Sequence, residues 1–200
     1  TLIIMDEIQE LHRGLSSLKY FCEDAPEYHV AVAGSLLGLT LHQGESYPVG
    51  KVNTLNMYPM TYEEFLLARD KKQMLDILHM LNWNIIKGLR TLFTQYLREY
   101  YLVGGMPEAV KKFIETNDSN SVREIQNEIL RAYDRDISKH APTEQVMRIN
   151  QVWASIPSQL AKENKKFIYG VVKPGARAKE YELAIQWLID AGLVYKVNRI

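Results

Sequence analysis

The sequence predicts a mainly α fold with a partial α/β portion at its start, and three observations carry that prediction. Two short apolar runs, Thr1-Leu2-Ile3-Ile4-Met5 and His29-Val30-Ala31-Val32-Ala33, flank a segment of helical periodicity. From Pro59 onward strand-like patterning stops and apolar residues recur at helical steps. The final part of the chain reads as three helices followed by the start of a strand.

The first run is short, apolar and β-branched, the pattern of a parallel strand covered on both faces. It ends at Asp6-Glu7, and Ile8, Leu11, Leu15, Leu18 and Phe21 then share one helical face. A strand, a helix and a second strand in this order favour a parallel pair with a right-handed crossover. Residues 51–57 suggest a third strand. Thr61 with Glu64 forms a capping box, with Met60 and Phe65 as its hydrophobic staple, so a helix starts there. One long helix is expected from Ile85 to Tyr101, its buried stripe including Tyr96, Tyr100 and Tyr101. Gly104-Gly105 ends it, Pro107 opens the next helix, and Ser121 with Glu124 marks another capping box. Helices are expected over 143–155, 157–163 and 178–190, with an irregular piece at 167–172; Gly192 ends the last helix and a strand begins at Leu193. Three helices and then a strand is the order of a winged helix whose wing is half present.

Composition narrows the function classes. The 24 Lys plus Arg balance the 24 Asp plus Glu, so net charge points to no polyanionic partner. A single cysteine, Cys22, forms no internal disulfide, fits a reducing cytoplasm, and reads as a buried helix residue. A membrane span needs about 20 apolar residues in a row, and the longest candidate, 30–41, is shorter and interrupted by Gly34, Ser35 and Gly38, so no membrane partner is expected. His12, His29, His42, His79 and His140 are scattered, and the spacing of Asp136 and His140 supplies one pair where a metal site needs three or four ligands.

An apolar strand ending in Asp-Glu is the Walker B arrangement. The strand delivers carboxylates to the carboxyl edge of a parallel sheet, where Asp6 would hold a Mg²⁺ bridging nucleotide phosphates and Glu7 would polarise the attacking water. The competing reading is that both acids favour the start of the following helix. Ser35, after Val30-Ala31-Val32-Ala33-Gly34, is a small polar residue at the end of the second run; by itself it reads as a serine in a tight glycine turn. Near the other end, Lys162, Lys165, Lys166, Lys173, Arg177 and Lys179 against Glu163 make a local basic excess that would meet nucleic-acid phosphates, with Lys165, Lys166 and Arg177 the candidate contacts. Glu180, Glu182 and Asp190 on the last helix weigh against it, as a winged helix also serves as a packing module.

The stretches LIIMDEIQELHRGLSSLKYF, VAVAGSLLG, MYPMTYEEFL, YLVGGMPEAV and RDISKHA together resemble a large prokaryotic group of AAA-like P-loop ATPases that carry a C-terminal domain of unknown function. The resemblance covers essentially the whole chain. It implies the second half of a P-loop ATPase parallel sheet over 1–57, a helical lid or linker over 58–141, and a winged-helix-like domain over 142–200. Asp6 and Glu7 match the family's Walker B acids and Ser35 its sensor position, with ATP and Mg²⁺ as cofactors of the parent protein. An arginine finger is expected in the parent, and sequence does not choose among Arg13, Arg69, Arg90, Arg98, Arg131 and Arg135. Self-association is a further expectation, since a partial parallel sheet exposes an apolar edge.

The chain departs from the family at Walker A, G-x-x-x-x-G-K-[ST]. The nearest segment, Gly44 to Val52, has the wrong glycine spacing, places Val where Mg²⁺ needs a hydroxyl, and lies after Walker B. The expectation is an internal fragment beginning at Walker B that does not hydrolyse ATP alone. The alternative is a non-enzymatic nucleic-acid-binding or protein-interaction module in which Asp6-Glu7 merely cap a helix.

Overall fold

A computed structural model describes residues 1–34, 48–164 and 166–198. It is mainly α with a small parallel α/β portion. The chain divides into two units, one built from Thr1–Leu55 with Asp136–Ile200 and the other from Asn56–Arg135.

In the first unit, β1 (Leu2–Met5) and β2 (His29–Val32) pair in parallel, with Leu2 opposite His29 and Met5 opposite Val32. Between them lie a 3-10 turn, Ile8–Glu10, and helix α1, Gly14–Asp24. Ile8, Leu15 and Leu18 are buried against Met5, Val30, Val32 and Val52, which covers one face of the sheet. The expectation of a strand covered on both faces is corrected: Leu2 and Ile4, pointing the other way, are 61% and 72% exposed among the described residues. The single helix expected from Ile8 divides because the chain turns through Arg13 in the left-handed region (φ 63°) and Gly14 passes so close to Ile8 that a Cβ would lie 2.5 Å from the Ile8 carbonyl oxygen. Cys22, expected buried, is exposed on α1. Residues 51–57 form no strand in the described structure.

The second unit opens with α2 (Tyr62–Ala68), capped as the sequence predicts: the Glu64 N–H donates to Thr61 Oγ1 at 3.2 Å and the Thr61 N–H donates to Glu64 Oε2 at 2.7 Å. Then follow α3 (Lys72–His79), α4 (Trp83–Gly88), α5 (Arg90–Val103), α6 (Pro107–Thr116) and α7 (Ser119–His140), whose last residues belong to the first unit. The one long helix expected over 85–101 is broken at Leu89 (φ −99°, ψ 14°), which shifts the phase of the stripe; Tyr96 is buried, Tyr100 half-buried, and Tyr101 75% exposed. Phe65, Val103, Val110, Phe113 and Val122 form the main core of this unit. Arg69 is held within it, donating to Glu99 at 3.0 Å with its guanidinium 4.9 Å from the centroid of the Phe113 ring. Helix α7 starts two residues before the expected capping box, because the Asp118 carboxylate accepts from the Asn120 and Ser121 N–H groups at 3.1 and 2.9 Å.

The remainder of the first unit contains α8 (Val146–Leu160), α9 (one turn, Tyr169–Val172) and α10 (Ala178–Asp190). Ile137, Ile149, Val152, Tyr181, Ala184 and Leu188 form its core. Two helices expected over 143–155 and 157–163 are one, with Pro157 inside α8. Gly192 adopts φ 71° and closes α10 as expected. The strand expected from Leu193 is absent among the described residues. Instead, the N–H groups of Leu193 and Val194 fold back onto the Leu188 carbonyl oxygen at 3.0 and 3.3 Å, and no neighbouring strand there offers a ladder.

Candidate functional site

The acidic pair sits where the parallel strands end. Beyond β1 the Ala33 N–H donates to the Met5 carbonyl at 2.9 Å, and the Ile8 N–H donates to the Ala33 carbonyl at 3.0 Å. These two bonds clamp the end of β1 to the end of β2, and Ile8, only 2% exposed, plugs the core beneath them. Asp6 and Glu7 are thereby left exposed at the carboxyl edge of both strands. The Glu7 backbone is left-handed, φ 49° and ψ 46°, a conformation uncommon for a residue with a side chain. Its own N–H donates to Asp6 Oδ1 at 3.0 Å, and the Gln9 side-chain amide donates to Glu7 Oε2. The Glu10 N–H donates to the Glu7 carbonyl at 2.9 Å, which makes the 3-10 turn continuous with Glu7.

One group absent from the predicted site is brought to this turn. Lys139, near the end of α7, donates to Glu10 Oε1 at 2.8 Å. The lysine's hydrogen bond and charge hold the Glu10 carboxyl below its usual range, and Glu10 in turn raises the Lys139 ammonium. The two residues are 129 positions apart, so no local pattern links them. Ser35 lies outside the described residues, but Gly34, its predecessor, directly follows the Ala33 that is bonded to both Met5 and Ile8.

Asp6 offers one hard carboxylate at an open edge. That suits Mg²⁺, which is commonly held by one or two carboxylates together with waters and nucleotide phosphates. Among the described residues, no group of three or more His, Cys, Asp and Glu side chains is placed to hold a metal by itself.

The basic segment is split by the structure. Lys166, Lys173, Arg177 and Lys179 are exposed, Lys162 is half-buried, and Lys165 lies outside the described residues. The Lys166 N–H donates to Asn164 Oδ1 at 3.1 Å, and the Arg177 N–H donates to Glu180 Oε2 at 2.9 Å, which places Arg177 as the N-cap of α10. The exposed side of α10 also carries Glu182, Leu183 (68% exposed) and Gln186, a mixed surface. Among the described residues, no helix is long and apolar enough to cross a membrane.

The parallel strand pair and the acidic turn at its carboxyl edge lie within residues 1–66, which a family model described as an AAA domain matches, so this part of the chain is similar to AAA domains. A second model, described as a domain of unknown function (DUF8612), matches residues 94–200, more than half of the chain, and the chain belongs to that family. No curated protein and no solved structure matches the chain.

Proposed function

We propose that the chain is part of an AAA-like ATPase that binds and hydrolyses ATP with Mg²⁺ in its full-length form, and that the Asp6-Glu7 turn is its Walker B element. The observation that supports this most is the exposed, left-handed Glu7 beside Asp6 at the carboxyl end of paired parallel strands, within the residues matched by the AAA domain. Asp6 would be the Mg²⁺ ligand, Glu7 would accept the proton of the attacking water, and Ser35 would act as the sensor. Mg²⁺, when bound with nucleotide, supplies charge neutralisation across the phosphates. Residues 1–57 then contribute to the ATPase core, 58–141 form a helical lid or linker, and 142–200 carry helices in winged-helix order, with no wing strand among the described residues.

The sequence contains no G-x-x-x-x-G-K-[ST] segment, so the backbone cradle and lysine that supply most of the phosphate binding must come from outside these residues. The 200-residue chain alone is therefore expected to show no Mg²⁺-dependent ATP turnover, and turnover abolished by Glu7→Gln would overturn that expectation. In the full-length protein, Glu7→Gln is expected to abolish turnover while ATP binding persists. Undiminished turnover would remove Glu7 from its role.

A second reading, nucleic-acid binding through the C-terminal helices, is favoured by the exposed Lys166, Lys173, Arg177 and Lys179. It predicts a salt-dependent gel shift that is lost when Lys165, Lys166 and Arg177 are changed to Glu. No shift at low salt would remove it.

A further inference from the structure

Lys139 is the cation that meets the acidic turn, and it does so from a helix remote in sequence. Its ammonium lies 2.8 Å from Glu10 Oε1, and the Glu10 N–H is bonded to the Glu7 carbonyl at 2.9 Å. A continuous path of two polar contacts therefore runs from α7 to the residue whose backbone is held left-handed. Glu7 has few other restraints: its carboxylate accepts from the exposed end of Gln9, and its N–H is satisfied by the neighbouring Asp6. A non-glycine residue in this conformation persists only where its surroundings over-determine it. On the sheet side, the determinant is the Ile8 N–H bond to Ala33; on the other side, it is the 3-10 turn that ends at Glu10.

We propose that Lys139 is a positioning residue for the Asp6-Glu7 turn: by pairing with Glu10 it holds the 3-10 turn closed and so keeps Glu7 in its left-handed conformation. The role assigned to Glu7 rests on the ATPase reading above; the latch itself does not. Both partners of the ion pair are largely solvent-exposed, with side chains 63% and 51% accessible, so the latch is weak and readily released. The Glu7 charge adds to the attraction of Lys139 toward the turn, while Asp136 acts on the ammonium from α7 itself.

Amide exchange on the 200-residue chain tests the latch without nucleotide. Lys139→Met and Glu10→Gln each remove the ion pair at an exposed site and are expected to leave the fold intact. In both, exchange of the Ile8, Glu10, Leu11 and Gly14 amides should accelerate by about two- to fivefold, the Glu7 Cα chemical shift should move toward its unstructured value, and the Leu193 and Val194 amides should be unaffected. Lys139→Arg should restore both signals, and 1 M salt should bring the unmodified protein toward the variants. Unchanged exchange and an unchanged Glu7 shift in both variants would overturn the proposal, as would loss of protection throughout the first unit or failure of arginine to rescue. Failure of the ATPase reading appears separately, as absence of Mg²⁺-dependent ATP binding by the full-length protein, and leaves the exchange result to decide the latch.

Discussion

The Tyr100 hydroxyl donates to the Met60 carbonyl oxygen at 2.8 Å, joining the residue just before α2 to the last turns of α5 across forty positions. Gly105 completes the arrangement by accepting from the Met60 N–H at 2.7 Å. The MYPMTYEEFL and YLVGGMPEAV stretches are therefore two halves of one polar junction, with Tyr100 also 5.5 Å from Phe65, centroid to centroid.

This junction admits no side chain at position 105, where a Cβ would run into the Met60 carbonyl oxygen. Gly105→Ala is expected to destabilise the protein by about 1–3 kcal/mol, the usual range for overpacking, and Tyr100→Phe by about 1 kcal/mol through loss of one hydrogen bond. Urea unfolding of both variants checks this. Unaltered midpoints would show that the junction relaxes freely.

Gln159 is 5% exposed and pairs twice with one residue, its amide donating to the Ile168 carbonyl at 2.9 Å and its oxygen accepting from the Ile168 N–H at 3.1 Å. The side chain thus imitates a neighbouring strand for a segment that has none. Gln159→Leu keeps much of the volume but strands both backbone groups, and thermal unfolding should report a loss of about 1–3 kcal/mol. A neutral outcome would mean that water replaces the amide.

The left-handed Glu7 predicts an unusual ranking of substitutions. Alanine keeps the Cβ that makes φ 49° unfavourable, whereas glycine does not. Glu7→Gly is expected to be more stable than Glu7→Ala by about 1 kcal/mol, despite glycine's greater unfolded-state freedom. The reverse order in denaturant unfolding would contradict the strain.

Asp118 gives stability a defined acid limb. Hydrogen bonds from the Ser121 hydroxyl and N–H and from the Asn120 N–H hold its carboxyl below the ordinary value of 3.8. Because the folded state favours the ionised form, the contribution is fully present above that ordinary value and is lost as pH falls through the lower folded one. Asp118→Asn should flatten the decline of Tm with pH between about pH 5 and pH 2. An acid limb identical to that of the unmodified chain would assign it to other carboxylates.

What the sequence makes legible follows the range of the interactions concerned. The Thr61-Glu64 box, the Pro107 helix start and the Gly192 cap are set by neighbours within a few residues and are found where local chemistry puts them, and the parallel pair follows from the strand–helix–strand order even though its partners lie 27 residues apart. The misplaced elements depend on distant partners. A strand from Leu193 needs a second strand, the supposed stripe through Tyr101 needs an unbroken helix, and burial of Cys22 needs a neighbour to cover it. At the acidic turn, Asp6 and Glu7 are readable from an apolar run that ends in two acids, while the Glu10–Lys139 pair leaves no mark on any local window.

The first unit is assembled from both ends of the chain, with residues 56–135 intervening. During synthesis every residue of the second unit is added before Lys139, so the Glu10 contact and the core around Ile137 must wait until that unit has been made. The β1–α1–β2 segment spends that interval without its Lys139 contact, and Leu2 and Ile4 stay uncovered even once that contact has formed.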